Sequence, residues 1–108
     1  MTELRNALPC IQTETLPGPK ARAIIDRRAE AIPNAIRCGY PLVVKRGEGA
    51  MVEDVDGNLF LDWVGGVGVL NVGYSQQPMI DAVKAQADQY FHVMMNIGTH
   101  EGYIKLAE

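Results

Sequence analysis

The sequence predicts an α+β fold built from an N-terminal helix, a three-stranded antiparallel meander, a glycine-rich loop and then further helices. Three observations carry that expectation. The spacing of apolar residues changes from helix-like to strand-like at Leu42, which marks the passage from helix to sheet. The three apolar runs that follow are separated by turns of a few residues, which join antiparallel neighbours. From Ile80 an apolar stripe at i, i+3, i+7 and i+10 returns the chain to helix.

Each element has its own local reason. Residues 1–16 show no sustained period and are read as a flexible N-terminal arm that orders only against another surface. The first helix is expected after Pro17-Gly18-Pro19, where proline suits a first turn; Ile24, Ile25, Arg28 and Ala31 then follow helical spacing until Pro33 stops it. Asn34 to Tyr40 is a connector, and Pro41 biases its neighbour towards extended backbone. Leu42–Val44, Met51–Val55 and Leu59–Leu61 read as three short strands. Gly47-Glu48-Gly49 turns the chain between the first two, and Asp56-Gly57 supplies the positive φ of a tight hairpin between the second and third. Gly65, Gly66, Gly68 and Gly73 then let the backbone lie close to another group.

A helix over Gln76–His92 follows, with Ser75 as its cap, Pro78 in its first turn and Ile80, Val83, Ala87 and Tyr90 on one face. Another begins near Thr99, a candidate cap, with Tyr103, Ile104, Leu106 and Ala107 as its apolar positions. No stop signal precedes Glu108, so residues 17–108 are expected to be the first part of a larger domain.

Composition excludes several classes. The 108 residues are 47% apolar and 21% charged, ordinary values for one globular domain, too short for two with separate cores, and unlike disordered or fibrous chains. A net charge of −3 argues against nucleic acid as a partner. The one basic cluster, Lys20, Arg22, Arg27 and Arg28, is interleaved with Asp26 and Glu30 and reads as a solvated helix face. Trp63–Leu70, the longest mainly apolar run, is broken by glycines and falls short of a membrane span. With no secretory signal pattern at the start, the expected location is cytoplasmic, where Cys10 and Cys38 are free thiols.

Motifs that carry chemistry are mostly imitated here. Gly68 to Ser75 fits a phosphate-binding loop except that Tyr74 stands where the lysine belongs, which removes the charge that reaches the terminal phosphates. Gly66-Val67-Gly68 lacks the third glycine of a dinucleotide fingerprint. Asp54, Asp56 and Asp62 could be paired carboxylates, but their places in a turn and beside short strands favour exposed structural groups. His92 and His100 have no cysteine partner at ligand spacing, so no metal site is expected. Met94 and Met95 beside Phe91 read as core filling.

Several segments together, in order and spacing, resemble the start of the class III aminotransferases, the 4-aminobutyrate aminotransferases among them. They are Pro17-Gly18-Pro19-Lys20 with the helix ending at Ala31-Ile32-Pro33, Val55-Asp56-Gly57-Asn58, Leu61-Asp62-Trp63, Gly65 to Gly73, and Ala82-Val83-Lys84-Ala85-Gln86. One segment departs from the family's Gly-His-x-His-Pro: Gly73-Tyr74-Ser75-Gln76-Gln77-Pro78 has neither histidine and places its proline one position later.

The resemblance implies part of the small domain of a fold type I, homodimeric enzyme dependent on pyridoxal 5'-phosphate, with amino acid and 2-oxo acid substrates. It places Gly65, Gly66 and Gly68 in a loop at the substrate entrance, and Val67 and Asn96 as substrate-binding residues. It implies transfer of an amino group from an ω-amino acid such as 4-aminobutyrate to 2-oxoglutarate, or the related acetylornithine, ornithine or diamine reactions. Such chemistry needs a lysine amine to bond the cofactor, and the family's lysine lies later in the chain than Lys20, Lys45, Lys84 or Lys105. No catalytic residue is therefore expected here, and the chain alone is expected to be inactive. A small non-catalytic α+β binding module is the alternative.

Overall fold

The computed structural model describes residues 3–108, which divide into two compact units meeting in sequence at Gln76–Gln77. The first holds the helix α1 (Pro19–Ala31), the strands β1 (Val44–Glu48), β2 (Met51–Asp54) and β3 (Leu59–Leu61), and the short helical turn α2 (Gly65–Gly68). The sheet is an antiparallel meander of order β1-β2-β3, as the turn lengths predict.

β2 is the central strand and all four of its residues are buried. The apolar core of the unit is small, namely Leu4, Ala21, Met51 and Val52, and the buried polar residues Glu53, Asp54 and Asn58 adjoin it. Burial of polar groups is tolerable only when they find partners. Among the described residues every buried side-chain nitrogen and oxygen has one.

β1 lies further along the chain than Leu42–Val44, and the turn falls at Gly49-Ala50, not across Gly47 to Gly49. Polar residues hid it. Lys45 and Arg46 are exposed on β1 and both reach Glu53, at 2.7 and 2.6 Å, so cross-strand charge pairing takes the place of apolar alternation. These two cations hold the Glu53 carboxyl below its ordinary range. A register irregularity between Val44 and Arg46 further obscures the period.

The hairpin between β2 and β3 is the most heavily bonded part of the unit. Asp54 Oδ1 accepts from the backbone N–H of Asp56 at 2.9 Å and of Asn58 at 2.8 Å, while Oδ2 accepts from Asn58 Nδ2 at 2.8 Å. Gly57 has φ 90°, the left-handed conformation that the Asp-Gly pair predicts. Asp54 is only 2% exposed, so the reading of these aspartates as exposed groups is corrected: folding buries Asp54 because three N–H donors replace its water.

Asp56 serves a different element. Its two carboxylate oxygens accept from the N–H groups of Lys20 and Ala21 at 2.9 and 2.8 Å, capping α1 from a remote part of the chain. The N-cap position itself is Gly18, which has no side chain to offer. A Cβ there would lie 2.5 Å from Asp56 Cγ, so glycine is what lets the carboxylate approach. At the other end of α1, Arg28 reaches the carbonyl of Ile36.

Of the arm expected over residues 1–16, the first two residues lie outside the described ones, and residues 3–16 run along the sheet. Leu4 is buried, and Cys10 and Leu59 exchange backbone hydrogen bonds of 2.9 and 2.8 Å. Asn58 Oδ1 accepts from Gln12 N, Thr13 N and Thr13 Oγ1. Glu48 accepts from Leu4 N and Arg5 Nε.

The second unit contains α3 (Gln77–Ala87) and α4 (Glu101–Ala107). α3 stops short of the expected His92, and no residue of either helix is fully buried within the unit. Phe91 is 90% exposed. Ser75 is not the cap of α3: it stands two residues before the helix and its hydroxyl donates to the Gly47 carbonyl at 2.8 Å. Nor is Thr99 the cap of α4. His100 takes that place, its Nδ1 accepting from Tyr103 N–H at 3.2 Å while its ring meets Tyr90 and Tyr103 edge-on.

Replacing Asp56 by alanine removes the cap of α1 and should lower stability by about 1–2 kcal/mol. Asn58→Ala leaves the amides of Gln12 and Thr13 without their acceptor and should cost more, about 3 kcal/mol. Urea unfolding followed by circular dichroism ranks the two; equal stability of Asp56→Ala and the unaltered protein would contradict the capping role.

Candidate functional site

β3 delivers its last apolar residue, Leu61, into Asp62, and at that aspartate the sheet gives way to the glycine loop. Asp62 N–H donates to the Ala50 carbonyl at 2.9 Å, so its backbone is still tied to the sheet. Its side chain faces the loop. Oδ1 accepts from Val64 N–H at 2.8 Å and Gly65 N–H at 3.0 Å, and Oδ2 accepts from the Tyr74 hydroxyl at 2.7 Å.

This pairing moves both groups. The Tyr74 hydroxyl, with the Gly65 amide next, holds the Asp62 carboxyl below the ordinary carboxylate range, and Asp62 in turn pushes the Tyr74 phenol up. A depressed carboxyl stabilises the fold above its unfolded value of about 3.9, and that contribution disappears as pH falls through the folded value. A raised phenol acts in the opposite sense: its contribution is complete below about 10 and is lost as pH climbs through the folded value.

After Val64, which is still right-handed, the backbone enters the left-handed region for four residues. Gly65, Gly66, Val67 and Gly68 have φ of 55°, 63°, 60° and 89°. For three of them glycine removes the penalty; Val67, β-branched, sits there at a cost of about 1–2 kcal/mol. The loop closes with Leu70 N–H on the Gly65 carbonyl at 2.9 Å. It rejoins the sheet where Gly49 and Tyr74 exchange hydrogen bonds of 3.0 and 2.8 Å. Gly73 is required at that crossing, because a Cβ would lie 2.6 Å from the Gly49 carbonyl oxygen.

Beside this loop lies a hollow of about 570 Å³, walled by Leu42, Val52, Phe60, Trp63 and Val64, with Asp54, Asp62 and Tyr74 among its polar lining. Trp63 is 89% and Val67 88% exposed. The loop thus displays apolar side chains that nothing in this unit covers. Asn96, in the second unit, is exposed in a turn closed by Ile97 N–H and Gly98 N–H on the Met94 carbonyl.

The lysines are placed for other work. Lys45 Nζ is 2.7 Å from Glu53 and Lys105 Nζ 3.0 Å from Glu101, while Lys20 and Lys84 are exposed on α1 and α3. None lines the hollow. The two carboxylates that do, Asp54 and Asp62, already accept protein N–H or O–H groups on both oxygens. The lining of this hollow therefore holds no lysine amine, and both of its carboxylates are engaged by protein donors.

The sequence profile of aminotransferase class-III proteins matches residues 35–108, which includes the sheet, the glycine loop and both later helices. The chain belongs to the class III aminotransferases. The 4-aminobutyrate aminotransferase of Mycobacterium tuberculosis is 37% identical over 93 residues, 86% of this chain and 21% of that protein. The alanine/serine racemase of Pyrococcus horikoshii is 38% identical over 93 residues, covering 85% of this chain and 20% of that protein. A Bacillus anthracis aminotransferase of known structure superposes with TM-score 0.68 at 26% identity, over 82% of this chain and 20% of its own. The chain spans about a fifth of the length of the relatives it matches. As the sequence predicts, its α+β architecture is part of the aminotransferase fold. No helix among the described residues is long and apolar enough to cross a membrane.

The Asp62–Tyr74 pair escaped the sequence reading, which took Asp62 as exposed. The only signal was the departure from the family at Tyr74, where a phenol replaces an imidazole.

Two outcomes follow for this class III aminotransferase segment. Unfolding free energy should fall as pH drops through the folded value of Asp62, and Asp62→Asn should flatten that part of the acid limb; urea titrations at stepped pH measure it. Val67→Gly should raise stability by about 1 kcal/mol by relieving the left-handed valine, read as a higher urea midpoint.

Proposed function

We propose that this chain is the N-terminal part of the small domain of a homodimeric, cytoplasmic, pyridoxal-phosphate-dependent aminotransferase that moves an amino group from an ω-amino acid such as 4-aminobutyrate to 2-oxoglutarate. Its own contribution is to build the wall of the substrate entrance. The observation that carries this reading is the left-handed Gly65–Gly68 stretch, which presents Trp63 and Val67 outward, uncovered by their own unit, beside an apolar hollow. An apolar wall with few polar groups suits a substrate whose charged ends are separated by methylene groups. Val67 and Asn96 are the residues proposed to meet the substrate. The relatives named for 4-aminobutyrate support the donor, at an identity of 37%.

A second reading is favoured by one relative. The alanine/serine racemase shares 38% identity with this chain, so inversion of an α-amino acid is the competing activity for the whole enzyme. The two differ in whether a 2-oxo acid is consumed.

The full-length enzyme, supplied with pyridoxal phosphate, 4-aminobutyrate and 2-oxoglutarate, should form glutamate. Inversion of L-alanine with no oxo acid present, and no glutamate in the first assay, would replace the first reading by the second. The 108-residue chain alone should form no glutamate above a buffer control, and measurable turnover by it would contradict the assignment of the chemistry to residues elsewhere.

A further inference from the structure

The Asp62 carboxylate divides its oxygens between the two ends of the glycine loop. Oδ1 holds the first amides of the loop, Val64 and Gly65, and Oδ2 takes the hydroxyl of Tyr74, where the loop returns to the sheet. A carboxylate torsion is broad and soft, so one oxygen alone does not fix the plane of the group. The second contact does.

Tyr74 is itself immobile for reasons independent of the loop. Its backbone exchanges two hydrogen bonds with Gly49, and its ring lies against Gly47, where a Cβ would fall 2.5 Å from Tyr74 Cγ. The sheet turn thereby sets where the phenol stands. The stretch it governs is otherwise closed by two backbone hydrogen bonds, Val67 N–H on the Val64 carbonyl and Leu70 N–H on the Gly65 carbonyl, both 2.9 Å; a Cβ at Gly65 or at Gly68 would meet nothing within 4 Å, so no side-chain packing at either point enforces the left-handed path. That path is the one that carries Val67 outward.

We propose that Tyr74 is a positioning residue for the substrate entrance, its hydroxyl locking the Asp62 carboxylate so that the Gly65–Gly68 loop and Val67 keep one conformation. The role in substrate binding rests on the entrance reading above; the latch itself does not. Tyr74 acts on the loop and not on the reacting atoms, so its loss weakens binding and leaves the chemical step in place.

The test uses the full-length enzyme with Tyr74→Phe, which keeps the ring against Gly47, and Asp62→Ala, which removes the acceptor of the phenol and of the two amides alike. Hydrogen–deuterium exchange at Val64 and Gly65 should speed up about tenfold in Tyr74→Phe, the order expected for one hydrogen bond to a charged group, and at least as much in Asp62→Ala, to which the second substitution should add little. KM for the amino donor should rise about tenfold with kcat within twofold. Unchanged exchange in Tyr74→Phe overturns the latch, whatever the kinetics. Faster exchange with unchanged KM overturns the positioning role, as does a fall in kcat at constant KM. An unaltered enzyme that transfers no amino group defeats the entrance reading and with it the positioning role, while exchange at the two amides still decides the latch.

Discussion

The turn from Asp54 to Asn58 ties the N-terminal arm and the helix α1 to the sheet, and the amide of Asn58 is its centre. Its nitrogen donates to the buried Asp54, its oxygen accepts from Gln12 and Thr13, and its neighbour Asp56 caps the helix α1. Arm, hairpin and helix are thus held by one turn of the chain. Asn58 is fully buried, and in surroundings of low polarizability such bonds are strong when complete and costly when broken. Among the described residues of the unit only four apolar ones are fully buried, so this polar knot, more than apolar bulk, selects the arrangement.

The same knot explains which parts of the fold could be read from the sequence. Asp56-Gly57 announced its hairpin because the left-handed requirement at Gly57 is local, and Pro19 and Pro33 bracketed α1 because proline acts on its immediate neighbours. β1 was misplaced because Lys45 and Arg46 are stabilised by Glu53 on the next strand, a partner that periodicity does not register. Asp54 looks exposed in the sequence for the same reason. Its N–H donors become visible only once the turn is closed. In the second unit, a cap was expected from Thr99 and came from His100, whose ring also has two aromatic neighbours.

The candidate site was legible in outline. Clustered glycines marked a backbone of positive φ, although the close approach expected of them holds at Gly73 and not at Gly65 or Gly68. What stayed hidden was how the loop is held. Val67 at φ 60° could not be foreseen from a residue type that avoids such angles, and the bond from Tyr74 to Asp62 spans a loop whose closure is a tertiary fact.

The remote cap of α1 also bears on the order of events during synthesis. A ribosome releases the N-terminal residues first, and Lys20 and Ala21 emerge some 35 residues ahead of the carboxylate that completes them. A lone helix of 13 residues is marginal in water. The nascent helix therefore lacks its cap until the later-made turn exists, so its completion runs from that turn back to earlier-made residues, against the direction of translation.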